Sequence, residues 1–231
     1  MKKLRIIVLS LFILIFNIKS FSQTFEIKTG INLSTMLSKN DIETFSEEYQ
    51  MVPRLFLGVT ADFPLTKLFS FETGLLFSSK GYKLDTYYSV PSYEGEYFPI
   101  YDNRTLNYFE IPLSLKMSAN FKNLPFIFTL GPYIGVGLNE KYTISVYNWE
   151  EGASERKSYS NQMGNESGWK RIDYGLQAGI GMEIQRIVIR LNYSYGLANI
   201  SQDSSIKSKN RVIGLTLGYK FNYKKNQPIT K

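Results

Sequence analysis

The chain has no histidine and no cysteine among its 231 residues. Ser-His-Asp and Cys-His catalysis both use histidine as the general base, so neither chemistry is available to it. Zinc sites lose their commonest ligands with the same two residue types, and no disulfide framework can form. The sequence therefore predicts a protein that is not an enzyme and that holds no metal and no cofactor.

Long apolar runs are also missing after the N-terminus. The N-terminus itself combines a basic start at Lys2, Lys3 and Arg5 with an apolar run at 6–16 and small residues up to Ser22. This arrangement is typical of a secretory signal peptide, and we predict cleavage after Ser22. A membrane anchor helix is the alternative, but the run is shorter than the roughly 20 residues that span a bilayer.

Removal of residues 1–22 changes the charge balance of the protein. Basic residues fall from 27 to 23 against 20 acidic ones, so the net charge drops from +7 to +3. The high isoelectric point is then partly a property of the targeting segment, and we predict no nucleic-acid partner. Because no apolar stretch of about 18 residues follows, no helix is expected to cross a membrane. A closed β-barrel is the remaining way for an exported chain to span one.

The clearest pattern in the chain lies at 172–197, where apolar and polar residues alternate. A period of two is typical of β-strands, because successive strand side chains point to opposite faces. Only Gln185 and Arg186 interrupt the alternation, so the segment is predicted to be a hairpin that pairs Ile184 with Ile187. Each arm reaches the roughly 9–11 residues that a membrane-spanning strand needs. One face is uniformly large and apolar, while the other holds glycine, amide and charged residues.

Six further segments show the same alternation, which gives eight predicted strands. They are 25–34, 54–63, 68–83, 107–117, 125–138, 172–184, 187–197 and 211–223. The long connections are 35–53, 84–106, 139–170 and 198–210, and the short ones are 64–67, 118–124 and 185–186. Long loops outside the cell and short turns in the periplasm are the rule for outer-membrane barrels. Pro112 lies inside the fourth strand and predicts a local break in pairing.

The predicted fold class is all-β: an eight-stranded antiparallel up-and-down transmembrane β-barrel, preceded by a cleaved signal peptide. The predicted boundaries are 1–22 for the signal peptide, 23–223 for the outer-membrane β-barrel and 224–231 for a polar C-terminal tail. The expected location is the cell outer membrane, with both termini periplasmic, the long loops extracellular and outer-membrane lipid as a partner. A soluble lipocalin-like barrel is disfavoured, because the large apolar side chains would not fit inside eight strands.

Charged residues on the polar face form a candidate structural site near the short-turn end. They are Lys28, Glu72, Arg190 and Lys220. Since a lone buried charge costs several kcal/mol, we predict that Glu72 pairs with Arg190 or Lys28 in a plug that closes the lumen. Such a plug agrees with the small interior of an eight-stranded barrel.

Tyrosines in the predicted loop at 84–106 form a candidate binding surface. They are Tyr87, Tyr88, Tyr93, Tyr97 and Tyr101. Tyrosine offers a large contact area at a low entropy cost, which suits recognition of a sugar or a peptide. Ordinary loop packing above the barrel rim is the alternative.

Two other motifs predict no site. The glycines at 175–181 approach a dinucleotide-binding pattern, but the spacing differs and no helix follows, so inward-facing barrel glycines are the better interpretation. The acidic loop at 35–53 lacks the ligand spacing of a calcium-binding EF-hand.

Several short motifs lie along the predicted strands. They are GINLS at 30–34, FETGLLF at 71–77 with Lys80 and Gly81, YFEIPL at 108–113, GPYIG at 131–135, DYGL at 173–176, YSYGLANI at 193–200 and the segment 214–221. With these motifs the chain resembles the PorT-like outer-membrane β-barrel family of Bacteroidetes over its whole mature length. The resemblance implies an integral outer-membrane protein. Through the family's named member, it also implies a part in the maturation of exported proteins, with components of a type IX secretion system as partners.

The last strand resembles the C-terminal signal by which the barrel-assembly machinery recognises its clients. Thr216, Gly218, Phe221 and Tyr223 carry the polar, glycine and aromatic spacing of that signal. The chain departs from the usual pattern by continuing to Lys231. The assembly machinery is therefore an expected partner during biogenesis.

Together these patterns predict a non-catalytic outer-membrane protein with a structural or accessory role linked to protein secretion or maturation. A surface binding or adhesion protein that acts through its long extracellular loops is the first alternative. A small-solute channel is the second, and it requires an open lumen.

Overall fold

The computed structural model describes residues 23–89, 97–121, 124–148, 153–164 and 167–221. The predicted signal peptide at 1–22 and the predicted tail at 224–231 lie outside these ranges. Both boundaries stay predictions.

Nine strands and one short 3-10 turn, Phe45–Glu47, make up the secondary structure of the described residues. The strands are β1 (Thr24–Lys39), β2 (Val52–Pro64), β3 (Phe69–Ser89), β4 (Tyr97–Phe121), β5 (Leu124–Asn148), β6 (Ala153–Gln162), β7 (Ile172–Ile184), β8 (Ile187–Gly196) and β9 (Lys207–Phe221). None of the helices in this part of the chain is long and apolar enough to cross a membrane.

Eight of the strands form a closed ring. Each pairs antiparallel with its neighbours in the order β4, β3, β2, β1, β9, β8, β7, β5, and β4 and β5 pair to complete the circle. The predicted eight-stranded up-and-down barrel is therefore confirmed. The ninth strand, β6, is a correction to the predicted loop at 139–170, because it pairs with the far end of β5 and stands outside the ring.

The predicted hairpin at 172–197 is formed by β7 and β8. Ile184 pairs with Ile187, so the register agrees with the alternation in the sequence. Gln185 in the turn has a φ of 57°, a left-handed conformation that a tight two-residue hairpin requires.

An apolar belt surrounds the ring on its outer face. It is formed by exposed residues that alternate with buried polar ones, such as Ile27 and Ile31 on β1, Leu191 on β8 and Leu215 and Leu217 on β9. Hydrocarbon can cover this belt, whereas water cannot cover it without a large free-energy cost. The orientation of the two faces is as predicted, and the lipocalin-like alternative is wrong.

The strands next to the predicted long loops extend far beyond this belt. β3 and β4 stay paired up to Ser89 and Tyr97, and β5 and β6 up to Asn148 and Ala153. Most of the predicted loops at 84–106 and 139–170 is therefore strand, and β1 and β9 also run past their predicted ends. The alternation fails there because both faces of the sheet are largely polar. We call the part of β3, β4, β5 and β6 beyond the belt the sheet extension.

Pro112 interrupts the sheet, as its missing backbone N–H predicts. The β3–β4 ladder skips Gly74 and Leu75, which would oppose Pro112 and Ile111. The β4–β5 ladder is interrupted at Pro132, where the pairs between Pro112 and Leu115 are missing.

The belt generates a prediction for Leu215, which lies in its middle and is 59% exposed. Leu215→Arg should lower the free energy of unfolding in liposomes by about 2–4 kcal/mol, the cost of a charge on the lipid face near the bilayer midplane. Urea titration followed by tryptophan fluorescence measures this change.

Leu65 supplies the matched control, because it is 58% exposed but lies in the turn between β2 and β3. Leu65→Arg should leave the free energy of unfolding almost unchanged. Equal losses in the two variants would contradict the position of the belt.

Candidate functional site

The lumen holds a cluster of charged residues at the end where the short turns lie. Four are acidic and four are basic, and all eight are buried: Glu26, Asp62, Glu72, Glu183, Lys28, Lys116, Arg190 and Lys220. They face inward because they occupy the residues between the apolar positions of the belt. We call this group the turn-end cluster.

Glu72 lies at the centre of the turn-end cluster. Its Oε1 is 2.7 Å from Lys28 Nζ and 3.1 Å from Arg190 Nη1. Arg190 also donates from Nη1 and Nη2 to Glu72 Oε2, both at 3.2 Å. This forked contact is the strong, directional form of an ion pair. The three residues come from β3, β1 and β8, so the contact spans the lumen.

Lys116 joins three acidic side chains in the same cluster. Its Nζ lies 2.6 Å from Asp62 Oδ2, 3.6 Å from Glu72 Oε2 and 3.7 Å from Glu26 Oε2. The carboxylates of these three residues lie within 4.8 Å of one another, a spacing that would suit a metal ion. The ammonium group of Lys116 already supplies the positive charge there, so we assign no metal to this site.

The structure brings three of the four predicted plug residues together. Lys28, Glu72 and Arg190 are in contact, whereas Lys220 pairs with Glu183 on β7. Lys220 lies nearer to the short-turn end than Lys28 does. In the ladder between β1 and β9, Lys220 is opposite Glu26, which is two residues before Lys28. The stagger between strands, which a count along each strand ignores, explains the difference.

A second group of buried polar residues lies higher in the lumen. Lys80 Nζ is 2.5 Å from Glu110 Oε1 and 2.9 Å from Asp173 Oδ2. Tyr133 donates its hydroxyl to Asp173 Oδ2 at 3.2 Å, and Asn210 donates its amide to the same oxygen at 3.0 Å. The ammonium group also lies over the Tyr133 ring, 4.3 Å from its centroid. Every strong charge in this group therefore has an opposite partner.

A small cavity lies between the two groups. It has a volume of about 60 Å³ and is lined mainly by polar side chains, including Asn32, Gln177 and Asn192. A polar cavity of this size has room for a few water molecules. The described part of the lumen is therefore filled by side chains and offers no open path for a solute.

A hydrophobic core closes the lumen where the sheet extension begins. It is formed by Met36, Tyr82, Leu106, Tyr108, Met163, Trp169, Ala198 and Ile200. Trp169 donates its indole N–H to Glu140 Oε1 at 2.8 Å, and Arg104 Nη1 lies 2.7 Å from the same oxygen. We call this group the cap core. It packs the base of the sheet extension against β1 and against the connections that precede β7 and β9.

Tyr49 and Tyr82 join the segment before β2 to the cap core. Their rings stack with centroids 4.0 Å apart. Burial raises the pKa of both phenols, so each stays protonated at neutral pH. The Tyr82 hydroxyl therefore donates to Asp102 Oδ2, at 3.0 Å.

Four of the five tyrosines of the predicted binding surface lie on strands. Tyr87, Tyr88, Tyr97 and Tyr101 occupy paired positions of β3 and β4, and Tyr93 lies outside the described residues. The Tyr101 ring is contacted by two cations, with Arg156 Cζ 3.9 Å and Lys83 Nζ 5.4 Å from its centroid. This part of the candidate surface is therefore held in place by β3, β4 and β6.

The residues of the predicted assembly signal lie on β9. Thr216 faces the lumen and accepts a hydrogen bond from Asn192 Nδ2 at 2.7 Å. Gly218 also faces inward, and a Cβ there would lie 2.1 Å from Glu26 Oε1. Phe221 is exposed in the belt, and Tyr223 lies outside the described residues.

Several inward-facing charges were missing from the predicted plug. Seven charged residues complete the two lumen groups: Glu26, Asp62, Lys116 and Glu183 in the turn-end cluster, and Lys80, Glu110 and Asp173 in the second group. Their sequence signal was present, because each falls on the polar face of an alternating strand. What the sequence lacks is the stagger that decides which of them meet.

A family model and several solved structures are similar to this chain. The family model for the outer membrane protein beta-barrel domain matches residues 21–202. Ail, the attachment invasion locus protein of Yersinia pestis, shares 15% identity with a TM-score of 0.39, and the match covers 87% of this chain and 99% of that chain. OprG of Pseudomonas aeruginosa shares 15% identity with a TM-score of 0.38, over 87% and 97% of the two chains. Neisserial surface protein A shares 11% identity with a TM-score of 0.38, over 86% and 97%. No curated protein matches the chain.

The turn-end cluster generates a prediction for Glu72. Glu72→Ala leaves Lys28 and Arg190 buried without their main partner, so the free energy of unfolding should fall by about 3–5 kcal/mol. Thermal and urea unfolding in detergent measure the loss.

The exposed pair between Glu155 and Lys157, at 3.2 Å, supplies the control. Glu155→Ala should leave stability unchanged, because water solvates both groups. If Glu72→Ala is as stable as the parent protein, the central pairing is wrong.

Proposed function

Since the chain belongs to the outer membrane protein beta-barrel domain family, we propose that it is a non-catalytic membrane anchor that holds a binding surface above the bilayer. The observation that carries this proposal is the sheet extension, whose strands stay paired beyond the apolar belt and whose base is packed by the cap core. A barrel that served only as a membrane plug would not need paired strands outside the membrane. The extension is assigned to the extracellular side and the short turns to the periplasm, following the usual arrangement of such barrels.

The binding surface we propose is the sheet formed by β3, β4, β5 and β6. β6 pairs with β5 on one side, and no other strand of the described residues pairs with it. An edge strand presents backbone donors and acceptors that an extended peptide can join. Because the aromatic and basic side chains near it are held by strands, little ordering entropy is lost on binding.

A role in protein secretion fits the same scaffold. The resemblance to PorT-like proteins implies such a role, and a secretion component would then be the partner of the sheet extension. The closed lumen supports an accessory function in secretion over a conduit, because the described residues leave no path through the barrel. Adhesion to another surface is the alternative occupant of the same sheet.

The filled lumen predicts that the protein forms no channel. Reconstituted into planar bilayers, it should give no stepwise conductance, because both groups of buried charges and the cap core block the interior. The control is Glu155→Ala, which changes a surface residue and should behave like the parent. Stable conductance steps from the parent protein would contradict the closed lumen and favour a solute channel.

Tyr159 on β6 is a suitable site for a crosslinking test of the sheet extension. It is 43% exposed, and its ring is stacked on Tyr142 with centroids 5.2 Å apart. With p-benzoylphenylalanine in place of Tyr159, irradiation of intact cells should give a discrete crosslinked adduct. The same substitution at Leu65, at the opposite end of the barrel, is the control and should not give that adduct. An absent adduct, or the same adduct from both sites, would contradict the proposal.

A matched deletion separates loss of binding from loss of fold. Ile144 and Lys157 are directly paired on β5 and β6, so residues 145–156 can be replaced by Asn-Gly without breaking a barrel pair. This variant should keep the parent's unfolding midpoint in detergent and lose the partner. Retained partner binding would place the active surface elsewhere.

A further inference from the structure

Four basic residues form a row on the outer face of the barrel, directly above the apolar belt. They are Lys39 on β1 and Lys207, Lys209 and Arg211 on β9. On β9 they occupy alternate residues on the face that continues with Ile213, Leu215 and Leu217. We call this row the basic ladder. It spans about 13 Å along the strand, at roughly 3.3 Å per residue.

The basic ladder has no acidic partner. Among the described residues, none of its four members makes an ion pair with a carboxylate, and Nε of Arg211 is buried without a hydrogen bond. Some other cations of the sheet extension are paired, such as Lys83 with Asp85 at 2.9 Å and Arg104 with Asp102 at 2.8 Å. Lys141, Arg156, Lys170 and Arg171 also make no ion pair among the described residues, but the basic ladder places its four unpaired cations on two adjacent strands.

The register of β1 and β9 makes this arrangement costly for the free protein. Lys39 and Lys207 are directly opposite each other, and like charges in that position destabilise a sheet. Lys209 Nζ lies over the Tyr195 ring, 6.0 Å from the ring centroid. A bound anion would remove this repulsion, and no carboxylate of the described residues competes with it for the Arg211 guanidinium.

We propose that the basic ladder binds the phosphate groups of a lipid headgroup in the leaflet on the extension side. A free anion would need only the charges, but here an apolar strip continues the same face of β9 and β1 into the belt. An amphiphile with phosphate above and acyl chains below matches both parts at once. Basic residues at a membrane surface attract anionic lipid in this way. The inference uses the proposed orientation only to name the outer leaflet.

Native mass spectrometry of the mature protein in detergent tests the proposal. The probes are diphosphoryl lipid A and the same lipid with both phosphates removed. The parent should bind the phosphorylated form more tightly than the dephosphorylated form. In the double variant K209Q/R211Q the ratio of the two affinities should be about thirtyfold smaller, the factor expected for two basic residues at an anionic surface. The variant K209R/R211K keeps the charges and should keep the preference, which separates loss of charge from loss of fold.

Matched controls decide between a specific site and general charge. K83Q/K157Q removes two cations that have carboxylate partners, and it should bind like the parent. Equal binding of the two lipid forms by the parent would overturn the proposal, and so would an equal loss in K83Q/K157Q. Displacement of the lipid by millimolar inorganic phosphate would assign the ladder to free phosphate and also overturn it. None of these results depends on a partner of the sheet extension.

Discussion

Closure of the sheet between β1 and β9 is the constraint on which the rest of the structure depends. Hydrocarbon offers no hydrogen-bond partners, so every strand within the belt needs a neighbour on both sides. The two strands pair without interruption from Phe25 with Phe221 to Lys39 with Lys207. A ring of eight strands is narrow, and its interior must be filled by the side chains that alternate with the belt. The charged lumen is therefore a consequence of closing a small barrel.

The lumen charges also help to define the register. Apolar side chains of similar volume can stabilise an interior as well as paired charges do, so stability alone does not require them. A shift of one strand by one residue, however, would turn its charges toward lipid. The contact between Glu72, Lys28 and Arg190 ties β3, β1 and β8 together, and Lys116 with Asp62 ties β4 to β2. Such contacts across the lumen favour one stagger over its neighbours.

The sequence predicted the parts of the structure where lipid imposes a contrast between two faces. The eight barrel strands, the Ile184–Ile187 register and the break at Pro112 all follow from residue types and their period. The sheet extension was not predicted from the sequence, because water surrounds it and polar residues occupy both of its faces. The partner of Lys220 was missed for another reason: the sequence gives the height of a residue along its own strand but not the stagger between strands.

The inner face of the sheet changes from mainly polar within the belt to apolar at the cap core, and this difference bears on the proposed binding surface. Within the belt, β4 points polar side chains such as Glu110 into the lumen and apolar ones such as Phe109 outward, while beyond it the inward-facing Leu106 belongs to the cap core. The β4–β5 register shifts at this boundary, between Asn107 and Tyr108. The extra residue is Leu138 on β5, so the alternation of β5 shifts by one residue there: Gly137 is buried on one side of the shift and Glu140 on the other. The belt must keep its pattern to remain in lipid, whereas the outer surface of the sheet extension is free of that requirement. Residues that recognise a partner can therefore change there without altering the barrel.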